Sequence, residues 1–140
     1  MANTKEAVEL LSKVPLFSEL TKKELGSFAS AAKEVRHKPG DVLAREGESG
    51  VGFFLIVDGT AAVTVDGKPR ARVGPGDFFG EISLLDGGPR TATVTAETPM
   101  RLIGITQWVF RRMVEQSPSV AMKMLKVMAS RLRYAPAGMQ

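Results

Sequence analysis

Glu81 and Arg90 stand nine residues apart in "FFGEISLLDGGPRTATV" (Phe78 to Val94), an acid and a guanidinium separated by a short apolar run and a Gly-Gly-Pro break. "GEISLL" reads as a close glycine approach followed by one or two turns of helix. The first turn of a helix leaves backbone N–H groups without carbonyl partners, aimed along the axis, and so can hold an anion. Arg90 follows the Gly87-Gly88-Pro89 turn, begins a strand, and can aim its planar fork at the same spot. That fork matches two oxygens of a phosphate. Glu81 is an acceptor and should not touch a phosphate; it suits a sugar hydroxyl, or it fixes the arginine. Together these groups describe a site for a sugar phosphate with one negative charge. The plain alternative is a salt bridge on a β-surface. Gly80 and the small residues after Arg90 favour ligation.

The elements that must position this stretch follow from patterning. Val8 and Leu11 recur at helical spacing, and Pro15 interrupts them. "TKKE" has the form of a capping box, with Thr21 as N-cap and Glu24 reaching back to it, before the apolar stripe Leu25, Phe28, Ala29 and Ala32. From about Val35 to Ile105 the chain turns to short Val-, Thr-, Ile- and Phe-rich runs broken by Gly, Pro and Asp. Asp58-Gly59 and Asp66-Gly67 each predict a type I′ hairpin, and "KPGDVL" and "GPGDFF" repeat a Pro-Gly-Asp turn into a new strand. Strands at this spacing predict an antiparallel barrel or jelly roll. Helix then returns, capped by Thr106 and again by Ser117-Pro118, with the stripe Val120, Met124, Leu125, Met128 and Leu132. The fold class is mainly β with flanking helices: an antiparallel β-roll, N-terminal helices before it and two helices after it.

Composition narrows the chemistry. The 140 residues fit one domain with its own core, and the absence of cysteine excludes disulfides, thiolate metal sites and cysteine nucleophiles. His37, the only histidine, cannot build a multi-histidine metal centre, so a cupin-like enzyme is disfavoured; it is expected in solvent at a strand end. No P-loop or nucleophile elbow occurs, which leaves no catalytic residues and no metal to name. Trp108, the methionines and the phenylalanines are expected in the core. No apolar run is long enough to span a bilayer, and the N-terminus does not read as a signal peptide, so a cytoplasmic location is expected. Residues 101–140 carry seven Lys/Arg against Glu115 alone. This basic end is the solvated face of an amphipathic helix in preference to a nucleic-acid surface.

"FGEISLLDGGPRTATV" resembles the phosphate-binding cassette of the cyclic-nucleotide-binding domain family, the regulatory domain of catabolite activators and protein kinase regulatory subunits. "PLFSELTKKEL" resembles that family's N-terminal helix, "KPGDVLAREGE" its first strand pair, "FFLIVDGTAAV" its central hairpin and "GPGDFFGE" the approach to the site. The resemblance covers about residues 8–133. It implies one domain over 1–140: N-terminal helices 1–34, a β-roll 35–105 with the cassette at 79–92, and hinge and lid helices 106–134. It also implies that Arg90 pairs with the cyclic phosphate and that Glu81 accepts from the ribose 2′-hydroxyl. Backbone N–H groups around Ile82 and Ser83 and at Thr91 would complete the cradle. Gly80 would let the chain come close, Phe79 would belong to the ligand-binding set, Val63 would touch the base and Ala92 would line the pocket. Leu132 or Tyr134 would cap the base. Thr91 is compatible with cGMP or cAMP, and cAMP is the expected ligand, with no other cofactor.

The function implied is a sensor that couples nucleotide binding to movement of the C-terminal helices, with Leu84 and Leu85 shifting against the helix that carries Phe110 and Met113. Its effector would act in trans or lie in a longer parent chain, and the stripe over 120–132 could support a homodimer. The competing reading, a DNA-associated regulator, lacks room for a helix-turn-helix before Gln140.

Overall fold

A computed structural model describes residues 4–49, 52–86 and 88–134, apart from the side chains of 81–83. Helix α1 (Thr4–Ser12), a 3-10 turn (Pro15–Phe17) and α2 (Lys22–Ala31) precede β1 (Lys33–His37), β2 (Val42–Ala44), β3 (Gly52–Asp58), β4 (Ala61–Val65), β5 (Lys68–Val73) and β6 (Phe78–Phe79). The short helix α3 (Glu81–Asp86) leads to β7 (Thr93–Ala96) and β8 (Met100–Thr106), and α4 (Gln107–Gln116) and α5 (Pro118–Arg133) follow. The strands form two antiparallel sheets, β1-β8-β3-β6 and β2-β7-β4-β5. The architecture is the expected β-roll with flanking helices.

The first sheet is the middle layer. Phe53, Leu55 and Val57 of β3 and Ile103 and Ile105 of β8 face the helices, where they join Leu11, Phe17, Phe28 and Phe110 in one core. Ile56 and Leu102 face the second sheet and join Ala61, Val94 and Ala96 in another. Burial of both faces explains why "GFFLIV" is a continuous apolar run and does not alternate. The rings of Phe17 and Phe28 lie 5.2 Å apart, and Phe17 meets Phe53 edge-on at 5.7 Å. These contacts rivet the helical layer to β3.

Turn chemistry sets the corners. In both Pro-Gly-Asp turns the glycine lies at φ +90°, the left-handed position of a type II turn. In both, the aspartate carboxylate accepts the backbone N–H three residues earlier: Lys38 to Asp41 at 2.9 Å, Gly74 to Asp77 at 2.8 Å. Asp66 and Gly67, with φ of 53° and 74°, close the β4–β5 hairpin at the Val65–Lys68 pair, as their sequence predicts.

Asp58-Gly59 departs from expectation. Strands β3 and β4 belong to different sheets, so the "FFLIVDGTAAV" segment is a corner and not a hairpin. Gly59 has φ +95°, and a Cβ there would strike the Pro99 carbonyl and Met100. The local turn is as sharp as Asp-Gly permits, but β3 finds its partners in β8 and β6 because only that pairing buries both of its faces.

The helix caps form as read. Thr21 Oγ1 accepts from Glu24 N at 3.1 Å, and Glu24 Oε1 accepts from Thr21 N at 2.9 Å. Glu24 Oε1 also accepts from Lys123 Nζ at 2.7 Å, tying α5 to the start of α2. Thr21→Ala should lower stability by about 1 kcal/mol in urea denaturation. The Glu24 carboxyl is held below its ordinary range, chiefly by the Lys123 hydrogen bond and then by the Thr21 N–H. A depressed folded pKa gives stability that is complete above the ordinary carboxylate range and is lost as pH falls through the folded value. The urea midpoints of the wild type and Glu24→Gln should therefore differ at neutral pH and converge in acid.

The C-terminal stripe and the tryptophan are not as expected. Val120 and Met124 are buried, but Leu125 and Leu132 are exposed, and Trp108 is 59% exposed and outside the core. Helix α4 buries Phe110 against α2 and α3, and Trp108 sits on its opposite side. His37 ends β1, part-buried, with Nδ1 3.1 Å from Asp41 Oδ2.

Candidate functional site

Arg90 is the one buried charged residue among those described, 9% exposed. Its backbone is pinned to the loop after β2, where Arg90 N donates to Glu48 O at 2.9 Å and Gly47 N donates to Arg90 O at 2.8 Å. These bonds start the return strand at a fixed place and send the side chain inward. Nη2 donates to the Gly52 carbonyl at 2.7 Å. Nη1 is buried and has no hydrogen-bond partner among the described residues. Burial lowers the Arg90 pKa from its ordinary value, yet a guanidinium starts so high that it stays charged at neutral pH. A buried cationic donor without a partner is costly and calls for an explanation, and a bound anion supplies one.

Gly80 explains how the guanidinium reaches this position. Its φ of +87° is left-handed, and a Cβ would collide with Arg90 Nη1 and with the Gly52 carbonyl. Helix α3 begins at the next residue, and its first internal bond runs from Leu84 N to Gly80 O at 3.0 Å. Helix geometry leaves the N–H groups ahead of Leu84 without carbonyls inside the helix.

A cavity of about 420 Å³ opens beside Nη1. Of the residues singled out from sequence, Val63, Phe79, Gly80, Arg90, Thr91 and Ala92 all line it. The side chains of Glu81, Ile82 and Ser83 lie outside the described residues. Leu132 and Tyr134 are 58% and 81% exposed at the end of α5 and are not among the lining residues, so neither stands over the cavity. Ala71 and Val73 of β5 line the cavity and were missed. The signal was present in "RARV", where the apolar Ala71 and Val73 alternate with Arg70 and Arg72 and so share one face of the strand. The missed Gly52 carbonyl carries no sequence signal, since every residue has one.

Chemically the site has a cationic donor at one end and apolar walls from β4, β5 and β7 elsewhere. It suits a compact anion joined to a flat, weakly polar body. Among the described residues no group of three or more His, Cys, Asp or Glu side chains could hold a metal, and no helix is long and apolar enough to cross a membrane.

Comparison with known proteins points the same way. Residues 34–117 match the cyclic nucleotide-binding domain family. The chain is 34% identical over 113 residues to a cyclic nucleotide-gated potassium channel of Mesorhizobium japonicum, covering 81% of this chain and 31% of the channel. It is 37% identical over 106 residues to a cAMP-dependent protein kinase regulatory subunit of Yarrowia lipolytica, covering 74% of this chain and 28% of the subunit. The chain thus spans less than a third of the length of either relative. Among solved structures, the N-terminal domain of a transcriptional regulator from Streptomyces coelicolor superposes with a TM-score of 0.81 at 33% identity, covering 89% of this chain and 90% of that one. A cyclic nucleotide-binding-like protein from Brucella abortus gives 0.74 at 30% identity, with 79% and 98% covered. The chain belongs to the cyclic nucleotide-binding domain family and is a regulatory domain of that type.

Proposed function

We propose that the chain is a cAMP sensor whose cyclic phosphate binds Arg90. The observation that carries this reading is the free Nη1 of a buried guanidinium held against Gly80 at the mouth of an apolar cavity. A cyclic phosphodiester has one negative charge and two free oxygens, which matches one cationic fork. The adenine would lie along Val63, Ala71 and Val73, with Thr91 beside it. Glu81 would take the ribose 2′-hydroxyl. The N–H groups at the start of α3 and at Thr91 would close around the phosphate.

Signal transmission would run through α3. Leu84 is buried in the core that includes Phe110, so tightening of the chain around a phosphate pulls on a residue packed with α4 and α5. Leu132 or Tyr134 would then close over the base as α5 moves. Ligand can drive such a change only as far as its affinity differs between the two arrangements. The effector would be a protein partner or another part of a longer chain; the relatives, a channel and a kinase subunit, are each more than twice as long. Parallel calorimetric titration with cAMP and cGMP tests the reading. One-to-one binding, tighter for cAMP, is expected. Absence of heat for both nucleotides at millimolar concentration would overturn it.

A further inference from the structure

The β4–β5 hairpin gives Val63, Ala71 and Val73 to the cavity wall, and its sheet holds it loosely. Strand β5 is the outer strand and, among the described residues, pairs with β4 alone. Pro69 takes one backbone donor out of β5, and a register shift between Val63 and Thr64 interrupts the ladder. Strand β4 pairs with β7 only as far as Thr64 opposite Thr93, so residues 65–68 project beyond β7. Nearer the open end of the hairpin, Arg72 Nε lies 2.8 Å from Glu97 Oε1.

At the projecting tip, Asp66 N donates to Glu46 Oε1 at 2.9 Å. Glu46 is itself fixed, because its N–H donates to Thr93 Oγ1 at 3.1 Å. Its neighbour Gly47 donates to Arg90 O at 2.8 Å, and Glu48 O accepts from Arg90 N at 2.9 Å. One residue therefore ties the hairpin that forms the apolar wall to the backbone that carries the guanidinium. Glu46 is not among the residues lining the cavity, so it acts through others. We infer, on the reading that a base lies along Val63, Ala71 and Val73, that Glu46 is a positioning residue. Its carboxylate holds the wall at the distance from Arg90 that a cyclic mononucleotide spans between base and phosphate. A wall that is in place only part of the time weakens binding by that fraction. The loss falls on the base end of the ligand, since Arg90 keeps its backbone bonds to residues 47 and 48.

The test titrates the full chain, followed by NMR, with two ligands: cAMP, and a ribose 3′,5′-cyclic phosphate carrying a methoxy group in place of the base. Glu46→Ala should weaken cAMP about tenfold, the effect of losing a hydrogen bond to a charged acceptor. The same variant should change affinity for the base-less ligand by less than about twofold, which also shows that the fold and the Arg90 end are intact. Glu46→Gln keeps a side-chain oxygen that can accept from Asp66 N, and should restore cAMP affinity to within about threefold of the wild type. Without ligand, the Asp66 amide should exchange with solvent faster in Glu46→Ala than in Glu46→Gln. Unchanged cAMP affinity in Glu46→Ala, or equal losses for both ligands, would overturn the inference, as would a Glu46→Gln variant as weak as Glu46→Ala. A wild type that binds neither ligand, or both equally, would instead sink the placement of the nucleotide itself, and the role of Glu46 with it.

Discussion

Arg90→Met should abolish measurable high-affinity nucleotide binding while leaving the ligand-free domain about as stable as the wild type. Among the described residues the guanidinium donates through Nη2 to the Gly52 carbonyl, while Nη1 is buried without a partner. Replacing such a group with an apolar side chain of similar length removes a desolvated charge at the cost of one hydrogen bond, so the two effects cancel to within about 1 kcal/mol. With ligand present the balance changes, because the phosphate would be buried without its counter-charge. Truncation of one partner in a buried charge pair costs about 2–5 kcal/mol, roughly thirty-fold to several thousand-fold in Kd. Arg90→Lys should also bind poorly, since an ammonium cannot reach Gly52 and two phosphate oxygens in one plane. Calorimetry and urea denaturation on the same preparations separate the outcomes. A variant that loses stability but keeps its affinity would make Arg90 a structural residue.

The second large effect is expected at Gly80. Gly80→Ala places a methyl group where Arg90 Nη1 and the Gly52 carbonyl now sit, on a backbone with φ of +87°. The left-handed conformation alone costs a residue with a side chain about 1–3 kcal/mol, and the collision must also push the guanidinium away from Gly52. Both stability and affinity should therefore fall, unlike Arg90→Met, where affinity falls alone. An alanine variant with unchanged urea midpoint and unchanged Kd would show that the close approach of Gly80 to the guanidinium is not needed.

The contrast between these two residues shows what the sequence could convey. Gly80, Arg90, Thr91 and Ala92 are close in the chain, and the turn between them is written in residue types with few conformational choices, so their gathering around one cavity is legible without coordinates. The same holds for the Thr21–Glu24 box, the Pro-Gly-Asp turns and Asp66-Gly67, where a local side chain or a glycine does the folding. Asp58-Gly59 was misread because its residue types specify a sharp turn but not which strands pair on either side. That choice belongs to β3, whose two buried faces are satisfied only between β8 and β6. The pairing of β1 with β8 joins residues as far apart as Lys33 and Gly104, and no local signal announces it.

The C-terminal end was the hardest to read. An apolar stripe on α5 looks the same whether a residue packs inward, as Met124 does, or faces out, as Leu125 does. Periodicity records amphipathicity and does not record how wide a face the neighbours cover. Leu132 and Tyr134 belong to this problem. Their proposed place over the base would require α5 to move, and in the described fold both lie in solvent.

The measurement that bears most directly on the central claim is a crystal structure of the chain grown with cAMP. The account predicts a cyclic phosphate oxygen within hydrogen-bond distance of Arg90 Nη1, with Nη2 still donating to the Gly52 carbonyl. Nucleotide bound away from Arg90, or an empty cavity at saturating cAMP, would contradict it.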